Sequence, residues 1–409
     1  MLTALLLPLA LTPAAPQDTP AQDSDLEARV EALEAEREAF ARQVEILAME
    51  LERQDLGTVA YGDLQAVSGL GPAASRIYAT ESGASIGGYG ELLYGFDPDG
   101  SDEFDALRGV IYLGYRFNDQ WLVNTEFEFE HGTQSFLEYS WVDYLATDEF
   151  ALRGGLLLSP LGFVNESHEP TTYLPVGRSQ TETRIIPTTM REMGVGAWGQ
   201  TGDLEWRAYV MNSLNGSAFD SGGLRGGRTK GDRADAEDLS VTARMDWRAT
   251  PGLTLGGGFH VGDSAGANAD ALGTDLGTSL VELHASWQWG AWDARALAAR
   301  ADLDGAAAFN AATPGANLAD RLEGAYVEVG YDLLAGREDA ARLLPYVRLE
   351  TIDTQASLPG NAIELDEAAD RYFTVGLNYQ PTPGVVVKID HETSDDGNDR
   401  IGFFIGYAF

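Results

Sequence analysis

From residue 85 to the C-terminus, apolar and polar side chains alternate with period two, the spacing that sends successive side chains to opposite faces of a strand. The last segment is the clearest: Ile401, Phe403, Ile405, Tyr407 and Phe409 fall on one face, Gly402, Phe404, Gly406 and Ala408 on the other. The same alternation places strands near 85–96, 105–117, 120–131, 135–147, 149–158, 191–199, 202–212, 237–248, 252–262, 278–290, 291–302, 321–334, 341–353, 370–380, 384–393 and 399–409. The phase is unclear in the fourth and eleventh, where Trp141, Asp143 and Leu297 do not alternate cleanly.

The links alternate too. After even-numbered strands they are tight, as at Asn118-Asp119, Thr250-Pro251-Gly252 and Thr382-Pro383-Gly384. After odd-numbered strands most are long and polar, notably 159–190, 213–236, 263–277, 303–320 and 354–369. Aromatics gather beside the short links: Phe117, Trp121, Trp247, Trp287, Trp289, Trp292, Tyr379 and Phe409. Short turns and an aromatic girdle at one end, with long loops at the other, are the pattern of a bacterial outer-membrane barrel whose turns face the periplasm. The predicted fold is all-β: a 16-stranded antiparallel transmembrane β-barrel over 85–409, with an N-terminal coiled-coil helix. A soluble sandwich is the competing fold, but it rarely needs so many strands or so one-sided a loop distribution.

The segment ahead of the barrel divides in three. Residues 2–11 form an apolar run too short to span a bilayer and read as the core of a signal peptide occupying 1–21, although no Lys or Arg precedes it. Leu26, Val30, Leu33, Arg37, Phe40, Val44, Leu47 and Leu51, spaced alternately four and three apart, predict a coiled-coil helix over 24–56, broken only by Arg37. The glycines and small residues of 57–84 read as a linker. No globular domain precedes the barrel, so no internal plug is expected.

Composition narrows the partners. With 27 Lys plus Arg against 64 Asp plus Glu, the formal charge of −37 argues against nucleic acid. The absence of cysteine removes disulfides and thiolate chemistry, and the five histidines lack the spacing of a zinc site, so no cofactor or metal centre is expected. Many acids fall in the predicted outer loops and at the strand ends beside them: Asp97, Asp99, Asp102, Glu103 and Asp105; Asp232, Asp235, Glu237 and Asp238; Asp395, Asp396 and Asp399. Divalent cations bridging this rim to anionic lipid are an expected partner.

Ile401-Gly-Phe-Phe-Ile-Gly-Tyr-Ala-Phe409 resembles the assembly signal of outer-membrane barrels, which the assembly machinery reads; its residues are Phe403, Ile405, Tyr407 and Phe409. Gly88-Tyr-Gly-Glu-Leu, Tyr112-Leu-Gly-Tyr-Arg-Phe-Asn-Asp119 and Gly154 to Glu192, with Pro160-Leu-Gly-Phe-Val-Asn-Glu-Ser-His-Glu-Pro-Thr-Thr172 and Ile185-Ile-Pro-Thr-Thr-Met190, resemble phosphate-selective porins of the O/P type. That resemblance implies a homotrimeric, water-filled diffusion pore in the outer membrane, with the third outer loop folded inward and the coiled-coil helix in the periplasm. Spacing independently makes 159–190 the longest loop and the third outer one. The expected constriction residues are therefore His168, Glu169, Arg178, Glu182, Arg184 and Arg191.

The polar strand phase predicts Arg108, Arg116, Arg153, Arg207, Arg244 and Arg348 in the lumen, with Glu126, Glu128 and Glu130 climbing toward an acidic outer mouth. The arginines have two readings. They form a cluster favouring anions such as phosphate, or they pair with lumenal acids such as Glu91, Glu126, Glu205, Asp246 and Glu350 and knit the wall. An enzyme is not expected: Ser167 and His168 are adjacent but lack a third member, so no catalytic residue is assigned. The expected function is passive diffusion of small hydrophilic solutes and ions. The competing expectation is a non-conducting barrel that anchors a coiled-coil tether.

Overall fold

The computed structural model describes residues 59–96, 101–266, 273–337 and 340–409, together with Leu33, Glu34, Ala35, Arg37, Glu38 and Arg42 of an N-terminal helix. The chain divides into two compact units, 1–54 and 55–409. In the first, Leu33 is exposed and Arg42 lies 3.9 Å from Glu38 one turn earlier. The predicted signal peptide, the other seam positions of the heptad and the rim residues Asp97 and Asp99 lie outside the described residues.

The second unit is a closed barrel of sixteen antiparallel strands, each paired with its sequence neighbour and β1 with β16. They run β1 Gly83–Phe96, β2 Glu103–Arg116, β3 Trp121–Glu130, β4 Gln134–Thr147, β5 Phe150–Leu158, β6 Arg191–Thr201, β7 Leu204–Asn212 and β8 Leu239–Thr250. They continue β9 Leu253–Asp263, β10 Gly277–Trp289, β11 Trp292–Asp304, β12 Arg321–Tyr331, β13 Arg342–Ser357, β14 Ala369–Thr382, β15 Val385–Ser394 and β16 Arg400–Ala408. Outward positions are apolar and exposed along the wall, as at Ile111, Leu113 and Tyr115. The girdle residues Phe117, Trp121, Trp247, Trp287, Trp289, Trp292, Tyr379 and Phe409 are all exposed beside the short turns, with Trp287 and Trp289 stacked 5.8 Å apart.

Both ambiguous strands have a physical cause. In β4, Glu126 pairs with Tyr139 but Phe127 pairs with Leu137, so Glu138 is an extra bulge residue that flips the phase. In β11, both faces are apolar. Ala294, Ala296 and Ala298 face outward, while Leu297, Ala299, Ala301 and Leu303 face inward into a cluster with Leu161, Ile185, Leu224, Phe309 and Leu318 from the outer loops.

The predicted linker is corrected. Described residues 59–82 include a 3-10 turn at Tyr61–Asp63 and a helical turn at Arg76–Ala79, and Leu70, Ala73, Ala74 and Ile77 are almost fully buried. Leu70, Ala73 and Ala74 pack on inward Tyr89, Tyr112, Tyr139, Trp141 and Tyr209. The segment occupies the short-turn mouth, where Arg116 donates to the Tyr78 and Thr80 carbonyls and Tyr61 packs beside Gly384 of the β14–β15 turn. Apolar burial on the lumenal wall compensates a segment whose glycines alone suggest flexibility.

Candidate functional site: the barrel lumen

The loop 159–190 leaves β5 at Ser159 and returns at Arg191. Its base is closed by Ser159 N–H on Met190 O at 2.8 Å and by Asn165, which donates to Ser159 O and accepts from Met190 N–H. Between these points it touches strands on every side of the barrel. Glu166 meets Arg207 at 3.2 Å on β7, and His168 Nε2 lies 3.2 Å from Glu126 on β3. Tyr173 donates to Glu91 on β1 at 2.9 Å. Lys388 of β15 donates to Pro175 O and stands 3.5 Å from the Tyr173 ring centre. Val176 N–H donates to Asp390, and Thr181 donates to Glu350 through both its N–H and its hydroxyl. Buried backbone groups that a free loop would show to water are satisfied by wall side chains.

The six residues singled out in this loop therefore do different things. Glu182 accepts from the Phe163 and Val164 N–H groups and from Tyr326, bracing the loop against itself and β12. Glu169 is where loop and N-terminal segment meet: Tyr61 donates to it at 2.8 Å and Ala74 N–H at 3.0 Å. Burial raises its carboxyl above the ordinary value, outweighing these donors. A Cβ on Gly71 would fall on the same carboxylate, so only glycine permits that approach. Burial, with Arg178 beside it, pulls the His168 ring down to about 4, leaving it neutral near pH 7. Its nitrogens face Asn165 O and Glu126, so Ser167 and His168 form no nucleophile–base pair. Arg184 donates to Gly222 O of the fourth outer loop, Arg191 pairs with Glu138 at 2.6 Å, and Arg178 carries a buried Nη2 with no hydrogen-bond partner.

The lumenal arginines are paired. Arg153 makes a two-pronged contact with Asp143, at 2.8 and 3.0 Å, and donates to Tyr78 of the N-terminal segment. Its guanidinium lies over the Trp141 ring, 4.2 Å from the ring centre. Arg207 is enclosed by Glu205, Glu166 and Asp246, and Arg244 by Asp246 and His284. Arg348 meets Glu392 and Glu350, and Arg108 meets Glu91, Glu128 and Glu130. Arg116 is spent on backbone carbonyls. In each case except Arg116 the wall-knitting geometry is the one present. Glu126 and Glu128 are buried rather than lining an open mouth, and Glu130 is partly exposed.

Space remains beside β8–β11 at the short-turn end. A cavity of about 740 Å³ is lined by Arg244, Arg248, Gln288, Asp293 and Arg295, with Phe163, Ser167 and Thr172 of the third loop at its inner end. Sequence reasoning missed the N-terminal segment, Glu138 and Asp143. Tyr61, Leu70, Ile77 and Tyr78, apolar bulk inside a supposed linker, were the available signal. Phe403, Ile405, Tyr407 and Phe409 all face outward at the β16 end of the barrel. Among the described residues, no three carboxylates or histidines converge in a way that could hold a metal ion, at the rim or elsewhere.

No family model matches the sequence. An uncharacterized protein of Aquifex aeolicus strain VF5 is 35% identical over 350 residues, covering 80% of this chain and 79% of that protein. Among solved structures, Salmonella typhi OmpF in complex with daunomycin superposes with a TM-score of 0.55 at 12% identity, over 81% of this chain and 99% of that one. A loop-deletion mutant of OmpT, an outer membrane protein of Vibrio cholerae, gives 0.54 at 10% identity, over 81% and 100%. A mutant of the Rh. blastica porin gives 0.51 at 10% identity, over 80% and 100%. The fold is thus that of the outer-membrane porins; the O/P-type assignment implied by the sequence resemblance has no matching model behind it.

Proposed function

The chain belongs to the same family as the Aquifex aeolicus protein, and we propose that it is a non-enzymatic outer-membrane porin passing small hydrophilic solutes and ions by passive diffusion. The carrying observation is the polarity of the closed wall. Its outer face is apolar with an aromatic girdle, while a polar cavity beside β8–β11 enters from the short-turn end. The third loop, anchored across the lumen, and the N-terminal segment, seated in the mouth, are both constricting elements in this reading. The conducting path runs along β8–β11, between the apolar cluster under the outer loops and the segment packed on β1–β7.

Selectivity for anions such as phosphate has narrow support, because Arg108, Arg153, Arg207, Arg244 and Arg348 already have carboxylate partners. Homotrimeric assembly, insertion through the C-terminal strand and a periplasmic place for the helix complete the proposal. A second reading, a closed barrel anchoring a coiled-coil tether, is favoured by the N-terminal segment itself.

Planar-bilayer recording of the purified full-length protein separates the two. The porin reading expects stepwise conductance that falls when Ser286, facing the β8–β11 cavity, is replaced by a bulky side chain. Silence from protein shown to be folded would overturn it and leave the tether.

A further inference from the structure

The wall is not fully paired. β4 and β5 are joined only from Ser140 opposite Leu156 toward the short turn. Above that point Gln134–Leu137 and Tyr139 pair with β3 alone, and Leu157 and Leu158 with β6 alone, because the chain leaves β5 to cross the lumen. Gly155, at φ +146°, permits the divergence; a Cβ there would strike the Ser140 carbonyl. A cavity of about 700 Å³ lies in this seam.

Its lining joins two chemistries. Leu137 and Met193 point outward and are 41% and 48% exposed, on the lipid side of the wall. Arg191, Arg225, Arg228 and Lys230 supply the charge. The fourth outer loop carries the last three over the rim: Thr229 N–H donates to Glu192 at 2.8 Å, and Gly231 packs against Leu156 and Met193. Of the acids lining it, Glu138 is engaged by Arg191 and Glu128 and Glu130 by Arg108, while Asp232 is exposed to solvent. Arg225 and Arg228 are steadied by Thr188 and Thr189, and among the described residues neither they nor Lys230 has a carboxylate within ion-pair distance. In a chain with 64 acids and 27 bases, three clustered cations without acidic partners require a separate explanation.

We propose that this seam binds the phosphate-bearing headgroup of an anionic outer-leaflet lipid, with Arg225, Arg228 and Lys230 on the phosphate and an acyl chain along Leu137 and Met193. Guanidinium forks suit phosphate oxygens, and basic pockets beside lipid-facing apolar side chains suit lipid headgroups. The lipid-side wall favours an amphiphile over a free anion. The site does not depend on whether the barrel conducts.

The test is native mass spectrometry of the delipidated full-length protein, titrated with phosphatidylglycerol and with phosphatidylcholine of identical chains. Phosphatidylglycerol is expected to bind about tenfold more tightly, and the Arg228→Ser/Lys230→Ser double variant to erase that preference, while Arg371→Ser on the outer face of β14 keeps it. Heat-modifiable migration verifies folding; should the double variant fail to fold, Arg228→Gln alone is expected to weaken phosphatidylglycerol by a few-fold. Equal binding of the two lipids, or a preference that survives the variants, overturns the proposal. So does pyrophosphate binding that depends on Arg228 while phosphatidylglycerol does not bind.

Discussion

Glu169 is one carboxylate serving two inserted segments, and its protonation therefore reports on their docking. Burial raises it when Tyr61, Gly71 and Ala74 cover it; released to water, it returns toward the ordinary value. The docked state thus holds more protons, so docking is strongest at acid pH and weakens as pH rises through the raised value. Larger or more frequent openings at pH 8 than at pH 5 are expected from the wild type, and a flat response from Glu169→Gln. A pH response that Glu169→Gln leaves intact would assign the effect elsewhere. Arg207 offers a second test. Replacing it by alanine leaves Glu166, Glu205 and Asp246 facing one another in a buried site, a loss of about 3–5 kcal/mol. Arg248, half exposed and paired with Glu205 alone among the described residues, should cost no more than about 1 kcal/mol on the same change. Urea unfolding in detergent micelles compares the two.

At the scale of elements, the strands were legible in local pattern and the inserted N-terminal segment was not. The sixteen strands follow from alternation, cleanly except in β4 and β11, because the bilayer requires an apolar exterior wherever the wall meets it. The interior obeys no such rule. It is polar where Arg153 meets Asp143 and apolar where Leu297 and Leu303 lie under the loops, so alternation fades in β11 although the strand is regular. Residues 57–84 misled for the opposite reason: their glycines suggest flexibility, yet Gly71 is required for contact with Glu169. Of the named loop residues, His168, Glu169 and Glu182 are held by wall side chains and the N-terminal segment while Arg184 reaches the fourth outer loop, and such anchoring depends on partners far away in sequence, as with Thr181 and Glu350, which local pattern does not encode. The N-terminal segment carries the prediction at this scale. Replacing 59–82 by a Gly-Ser linker of equal length should raise single-channel conductance several-fold while preserving heat-modifiable migration. Unchanged conductance in the folded variant would show that the segment lies off the conducting path.

At the scale of the whole molecule, the acids of the barrel wall and those of its outer rim sit in two different environments. Inside the wall, acids such as Asp143, Glu205, Asp246 and Glu392 are neutralised by arginines a few ångströms away, and water and salt reach them poorly. At the outer rim, Asp102, Glu103, Asp232, Glu237, Asp395 and Asp396 are exposed. Such charges act on permeating ions through solvent, over a screening length of roughly 30 Å at 0.01 M salt but only about 3 Å at 1 M. A rim field therefore enriches cations at the outer mouth in dilute salt and vanishes in concentrated salt, whereas selectivity set by paired groups inside the wall should hardly change. Reversal potentials measured across a fixed tenfold KCl gradient are expected to show cation preference at low mean concentration, decaying toward none as both sides are raised. Neutralising Asp395 and Asp396 should shift the low-salt value toward zero and leave the high-salt value alone. Anion preference that persists at high salt would instead return selectivity to the lumenal arginines, and with it the phosphate reading that their carboxylate partners argue against.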